Sequence, residues 1–231
     1  MSKIDIHVFG MHSRDDMIKD IVEKLDLSYD NVHYDDRPDG GMMIYTAKKA
    51  WLAPIPDDVT HRVVLADDVE VCDGFWEICE RITEAHPDSI VSLFPFEFME
   101  PTNSVENLDT PYVYCSILSG CAIIMPTKYI EPCFTFIKDT FNDVCADDEG
   151  IQAWAEQADI PIITTIPATV QHIGDISIAN KTSPIRRTCY YVSNPVADWD
   201  NTEIVRAFKK EWFFSNNGVK ITRKNRVTKL S

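Results

Sequence analysis

Long apolar runs are missing from this 231-residue chain. No stretch approaches the roughly 20 apolar residues that a helix needs to cross a bilayer, so no membrane span is expected. The N-terminus, MSKIDIHVFGMHSRDD, has only a strand-length apolar stretch followed by charge, which is not a signal-peptide pattern. Glycine is scarce, with 8 in the whole chain. A P-loop, a dinucleotide-binding fingerprint and a GxSxG nucleophile elbow are all absent. The seven cysteines include no CxxC pair and no zinc-type spacing. Scattered among apolar neighbours and odd in number, they predict reduced, buried thiols and a cytoplasmic setting. No internal repeat or low-complexity tract is visible.

Positive charge is sparse until the C-terminus. The chain carries a net charge of −15. From Arg206 onward, eight Lys or Arg (Arg206, Lys209, Lys210, Lys220, Arg223, Lys224, Arg226, Lys229) face one acid, Glu211. That segment carries +7, which leaves −22 on residues 1–205. An acidic body repels a polyanion, whereas a basic tail can hold one. A solvated tail that partly neutralises the body accounts for the same asymmetry. The chain therefore divides into a body at 1–205 and a basic segment at 206–231.

Strand and helix signals alternate through the first hundred residues. KIDIHVF (3–9) alternates and reads as a strand. SRDDMIKDIVEKLDL (13–27) has Ser13 as a candidate N-cap and apolar residues at helical spacing. A short strand at 31–36 and a helix at 43–53 follow. Residues 61–71 read as one buried strand, 73–86 as a helix capped by Asp73, and 89–94 as a strand. This order predicts a mostly parallel central sheet flanked by helices. Residues 96–114 read as loop, 116–126 as strand-like, 147–158 as a helix opening on three acids, and 160–167 as a strand.

Within the apolar run RVVLADDVEVC (62–72), Asp67 and Asp68 stand side by side. Ionised carboxylates in a buried strand need an arginine or lysine, a helix N-terminus or a metal to meet them. Open α/β sheets bind ligands beyond the carboxyl ends of their strands. The twin acids occupy one such end; His12, Ser13 and Arg14 follow the first strand, and Asp35 and Asp36 the second.

These features resemble glycosyltransferases of the A-type fold, in which one nucleotide-binding α/β domain carries a short acidic motif at the end of a central strand. The motif here is Ala66-Asp67-Asp68, with alanine at the first position of the usual triplet. HSR at 12–14, TAKKAWLA at 46–53 and DDEGIQAWAEQADIPIITTIPATVQHIGDISIAN at 147–180 extend the likeness over residues 3–200, toward small stand-alone bacterial and phage-type enzymes.

The resemblance implies transfer of a sugar from a nucleotide-sugar, with a uridine diphosphate sugar favoured, to a hydroxyl acceptor. Residues 1–100 would form the nucleotide-sugar half and 101–205 the acceptor half. Asp68 and His172 would hold Mn2+ or Mg2+, and Asp67 would lie beside the ribose or a metal-bound water. Arg14, Lys48, Lys49 and Lys181 would offset diphosphate charge, with His12 and Ser13 beside them. Asp35 and Asp36 would lie where base and ribose are read. Asp148, or its neighbour Asp147, would be the general base, and a base without a protein nucleophile implies inversion. Trp154 and Asp175 would face the acceptor. That acceptor would be a glycan, a small molecule or a hydroxymethylated base in DNA reached through the basic segment, in the host cytoplasm for a phage enzyme. A sugar nucleotidyltransferase and a non-catalytic nucleotide-sugar-binding module are the competing readings; the lone glycine in FGMHSR argues against the former.

Overall fold

The computed structural model describes residues 2–37, 43–95, 110–115, 117–174, 187, 188, 190–205, 214–216 and 219–221. The strands of the body are Ile4–Gly10 (β1), Val32–Tyr34 (β2), His61–Ala66 (β3), Val69–Val71 (β4), Ile90–Ser92 (β5), Tyr112–Tyr114 (β6), Ala122–Pro126 (β7), Ile162–Thr165 (β8) and Val170–His172 (β9). The helices are Asp15–Leu25 (α1), Met43–Trp51 (α2), Phe75–Ala85 (α3), Thr127–Phe141 (α4) and Asp147–Gln157 (α5). Phe214–Asn216 (β10) and Val219–Ile221 (β11) pair antiparallel with each other.

Seven strands form one sheet in the order β2-β1-β3-β7-β5-β8-β6. β1 runs parallel to β2 and β3, and β5 parallel to β8. β7 lies antiparallel between β3 and β5, and β6 antiparallel on the far edge. The sheet is therefore mixed, with its parallel strands in two groups. Every residue of β3 and β7 is buried, which is why β7 and the 63–66 part of β3 read as continuous apolar runs.

Arg62 in β3 is wholly buried and explains how α2 ends where it does. Its guanidinium donates to the carbonyls of Ala50, Trp51, Ala53 and Pro54 at 2.7–3.2 Å, and to Asp5 of β1. It thus satisfies the orphan carbonyls at the helix C-terminus with a positive charge, while Asp5 balances that charge.

Several local expectations are corrected. The run read as one strand over 61–71 breaks at Asp67-Asp68 into β3 and β4, because the acids turn the chain out of the sheet. α1 is preceded by a 3-10 turn, His12–Arg14, and its N-cap is Arg14 without a side-chain bond, so Ser13 does not cap it. Gly74, in a left-handed conformation at φ 68°, caps α3 in place of Asp73. β6 lies inside a stretch that reads as loop, and α4 accommodates Pro132 within its first two turns. Among the described residues six cysteines are free, and all of them except the half-buried Cys121 are buried. Among the described residues no helix is long and apolar enough to cross a membrane.

Candidate functional site

The site is built on the end of β3. Asp67 and Asp68 are 5% and 6% exposed, so their charges are met inside the protein. One guanidinium nitrogen of Arg14 lies 2.7 Å from Asp67 Oδ1 and 2.6 Å from Asp68 Oδ2. The backbone N–H of Met11 donates to Asp67 Oδ2 at 2.8 Å. The 3-10 turn after β1 thus folds over the acid pair and supplies both donors.

His172 reaches the site from far along the chain through a two-stranded antiparallel sheet. β4 pairs with β9 so that Val69 stands opposite His172, and the N–H of Ile173 donates to the Asp68 carbonyl at 2.9 Å. His172 Nε2 then lies 2.8 Å from Asp68 Oδ2. Its Nδ1 is buried without a hydrogen-bond partner. The ring meets Phe94, just past β5, edge-on at 6.2 Å between centroids.

Burial sets the direction of both carboxyl pKa values. Desolvation pushes Asp67 above the usual carboxylate range, and the neighbouring Asp68 adds to that, against Arg14 and the Met11 N–H. Desolvation also raises Asp68, but His172 and Arg14 together outweigh it and hold this carboxyl below its ordinary value. Asp68 is the more firmly ionised of the two.

Two glycines fit the acids closely. A Cβ on Gly10 would stand 2.2 Å from Asp67 Cβ, and one on Gly174 would stand 2.8 Å from Asp68 Oδ2. Gly174 is the glycine of the QHIGDIS segment and Gly10 that of FGMHSR, and a glycine at a strand end is the signal of close approach.

A second acid pair stands one strand away. The N–H of Ala66 donates to the Cys121 carbonyl at 2.9 Å, and the N–H of the preceding Gly120 donates to Asp148 Oδ2 at 3.0 Å. The first turn of α5 is thereby tied to the same end of the sheet as Asp67 and Asp68. Asp148 is half-buried, and its Oδ1 accepts from the Glu149 N–H at 2.8 Å. Asp147 is 1% exposed. Its Oδ2 accepts a 3.4 Å bond from the Trp51 indole, while its Oδ1 is without a partner. Burial first, and then the charge of Asp148, push the Asp147 carboxyl up to about 7.

The remaining predicted residues divide. The N–H of Asp35 donates to the Gly10 carbonyl at 2.9 Å, which joins the ends of β1 and β2. Arg37 forks onto the Asp35 carboxylate at 2.7 and 2.8 Å and holds it down to about 2. His12 is exposed and stacks on Tyr34 at 4.0 Å and 9°; Ser13 and Asp36 are exposed beside it. Lys49 bonds Asp36 at 2.7 Å. Lys48 pairs with Asp143 at 2.8 Å, in a cavity of about 760 Å³ alongside α2 that Arg37 and Lys49 also line. Trp154 is buried, with its ring 5.5 Å from that of Tyr129. Asp175 and Lys181 lie outside the described residues.

Among the described residues no three His, Cys, Asp or Glu side chains form a ready-made metal cluster. The carboxylate oxygens that would face an ion face Arg14. Carboxylate and imidazole are donor types that hard divalent cations accept, but here Asp68 Oδ2 already meets both Arg14 and His172. No protein-family model matches the chain, and no curated protein matches it in sequence.

Proposed function

We propose that the protein is a glycosyltransferase of the A-type fold that takes a nucleotide-sugar, favouring a uridine diphosphate sugar, and passes the sugar to a hydroxyl acceptor. One observation carries this reading: two buried carboxylates at the end of an interior strand share a sheet edge with His172 and with the Asp147-Asp148 pair. An α/β sheet flanked by helices supports the reading at the level of fold class, although it is more antiparallel than expected, and strand ends are where such sheets bind ligands.

Asp68 and His172 would hold manganese or magnesium, which when bound would neutralise charge on the departing diphosphate. Asp67 keeps the Met11 N–H and packs against Gly10, so it fixes the turn that presents Asp68. Arg14 adds a planar, permanently charged donor suited to phosphate oxygens. Asp35 and Asp36, with His12 stacked on Tyr34, offer acceptors and an aromatic face at the end of β2 for the nucleoside.

Asp148 would take the acceptor's proton. It is half-buried and already oriented by the Gly120 and Glu149 N–H groups, so one carboxylate is held in place to meet a hydroxyl. Asp147, fully buried and protonated below about pH 7, keeps the pair from repelling itself and cannot reach a substrate. With no protein nucleophile in the assignment, direct displacement inverts the anomeric centre.

The acceptor class follows from charge. A body at −22 disfavours any polyanion, and the +7 segment from Arg206 offers the phosphate contacts that the body lacks, which favours DNA bearing a hydroxymethylated base over a glycan. Reaching such a base requires a flipped or single-stranded nucleotide.

Incubation with a panel of nucleotide-sugars, Mn2+ or Mg2+, and either hydroxymethylated DNA or simple glycans tests the reading by mass spectrometry. A hexose or pentose increment on one acceptor is expected. Release of pyrophosphate from a sugar phosphate and a nucleoside triphosphate would identify a nucleotidyltransferase instead. Binding of a donor without its consumption would identify a non-catalytic module.

A further inference from the structure

We infer that the cavity alongside α2 is a second small-molecule site, one that takes a phosphate monoester carrying an apolar or aromatic group. This site is independent of the nucleotide-sugar reading: among the described residues lining the cavity, none belongs to the Asp67-Asp68 edge.

Charge singles it out. Arg37, Lys48 and Lys49 line the cavity against a single acid, Asp143, so its described lining is positive by two. His33 lines it as well, and burial, followed by the charges of His7, Arg62 and Lys49, holds that ring down to about 4. At neutral pH it therefore adds polarity and no charge. A positive hollow in a body at −22 concentrates anions at one place. A phosphate monoester, at about −1.5 to −2 near pH 7, matches that hollow in charge.

The rest of the described lining is apolar: Ile44, Tyr45, Leu52, Ala53 and Pro54. Among the described residues seven large apolar side chains are exposed, and four of them gather here. Tyr45 and Leu52 line the cavity, while Ile55 and Val144 adjoin Pro54 and Asp143, which do. A bare anion would leave this surface wet, whereas the organic group of an ester covers it. The volume of about 760 Å³ is that of a small-ligand pocket.

Part of the lining is fixed and part can be recruited. Arg62 bonds Asp5, Asp5 lies 3.3 Å from His7 Nε2, and His7 Nδ1 lies 2.9 Å from His33 Nε2, which sets the orientation of the His33 ring. Asp35 holds the Arg37 fork with its guanidinium 4.2 Å from the centre of the Tyr45 ring. Lys48 and Lys49 bond acids that keep 36% and 69% side-chain exposure, Asp143 and Asp36. Ion pairs so open to water contribute little, so a phosphate can draw both ammonium groups onto itself.

Titration calorimetry of the full chain with phenyl phosphate, inorganic phosphate and phenol tests the site. Phenyl phosphate is expected to bind about tenfold more tightly than inorganic phosphate, from burial of its ring. Phenol should give no measurable heat. Lys48→Gln combined with Lys49→Gln should weaken phenyl phosphate about tenfold or more. Leu52→Asp, at a side chain already 47% exposed, serves if that double variant does not fold, and should weaken the same ligand by repulsion. Asp68→Asn should leave the affinity unchanged. Equal binding of phenyl and inorganic phosphate would overturn the proposal, as would undiminished affinity in the lysine and Leu52 variants. Comparable weakening by Asp68→Asn would put the anion at the acid edge and overturn it too. So would a wild type that ignores phenyl phosphate, and sedimentation of that chain with phosphatidylserine vesicles would then mark this face as a membrane contact.

Discussion

His172 Nε2 and Asp68 Oδ2 lie 2.8 Å apart although they come from opposite halves of the chain. The β4–β9 pairing brings them together, and the Ile173-to-Asp68 backbone bond locks the register. Replacing Asp68 by asparagine keeps the shape and removes the charge that both His172 and Arg14 address. Asp68→Asn is expected to lose Mn2+-dependent binding of uridine diphosphate while remaining folded, because Arg14 still has Asp67. Calorimetry with and without the ion reads this directly; undiminished metal-dependent binding would remove Asp68 from the site.

Gly10 carries a steric prediction. A methyl group there would overlap the Asp67 side chain at 2.2 Å, and the conflict lies against Cβ, not a movable tip. Gly10→Ala should cost about 1–3 kcal/mol in urea unfolding, the range of overpacking changes, and should displace Asp67. Gly74→Ala is the control. Its Cβ meets nothing within 4 Å, so only the left-handed backbone at φ 68° is penalised, by about 1–2 kcal/mol. The two variants should differ in nucleotide binding: lost in the first, kept in the second.

The Asp147 carboxyl gives stability a dependence on pH. Its ordinary value is 3.8, and burial raises it to about 7 in the folded chain. Between these values the unfolded chain has released the proton and the folded chain still holds it. Folding is therefore progressively disfavoured as pH rises from about 4 to 7, and the penalty is complete above 7. Asp147→Asn lacks this linkage and can still accept from the Trp51 indole. Its stability relative to the wild type should climb across that window and then level off, as followed by Tm in matched buffers. A pH-independent difference would contradict the assignment.

Asp148 is expected to behave differently from its neighbour. Asparagine at 148 keeps an oxygen for the Gly120 and Glu149 N–H groups but cannot take a proton. Asp148→Asn should bind the donor with undiminished affinity and lose about 10²–10⁴-fold in transfer rate, the usual worth of a general base. Single-turnover kinetics separates the two effects. A fully active variant would move the base elsewhere.

How far the sequence discloses this arrangement depends on the range of the interaction concerned. β1, β3, α1, α3 and α5 follow from local periodicity, and Asp67-Asp68 is conspicuous because acids interrupt an apolar run. The antiparallel insertion of β7 between β3 and β5 is invisible locally, since an apolar run of five residues does not encode its direction. The break between β3 and β4 is equally hidden, because Val69 and Val71 continue the apolar pattern beyond the acids. Arg14 was readable as a cation near the edge but not as the partner of both acids, a contact set by the 3-10 turn. Gly10 and Gly174 owe their places to side chains that arrive from distant segments. Lys48 and Trp154 are legible for their chemical type alone; the fold adds an ion pair with Asp143 for the one and a ring contact with Tyr129 for the other.

The C-terminal strap makes the acceptor proposal testable without disturbing the body. Residues 190–205 lie along the folded domain. Trp199 is buried, with its carbonyl accepting from the Tyr112 hydroxyl at 2.6 Å, and Asp200 receives the fork of Arg81 at 2.9 Å. Val205 then adds to the edge of β6, donating to the Tyr112 carbonyl and accepting from the Tyr114 N–H. A chain ending after Val205 keeps every one of these contacts and loses only the +7 segment. Such a truncation should leave Tm and uridine diphosphate affinity unchanged while weakening binding to hydroxymethylated DNA. The loss should be largest at low salt, and the slope of log affinity against log salt should flatten by about 0.7–0.9 per phosphate contact removed. Filter binding or fluorescence anisotropy over a salt series gives that slope. An unchanged slope would return the basic segment to the role of a solvated counterweight, and the acceptor would then be sought among neutral glycans that an acidic body does not repel.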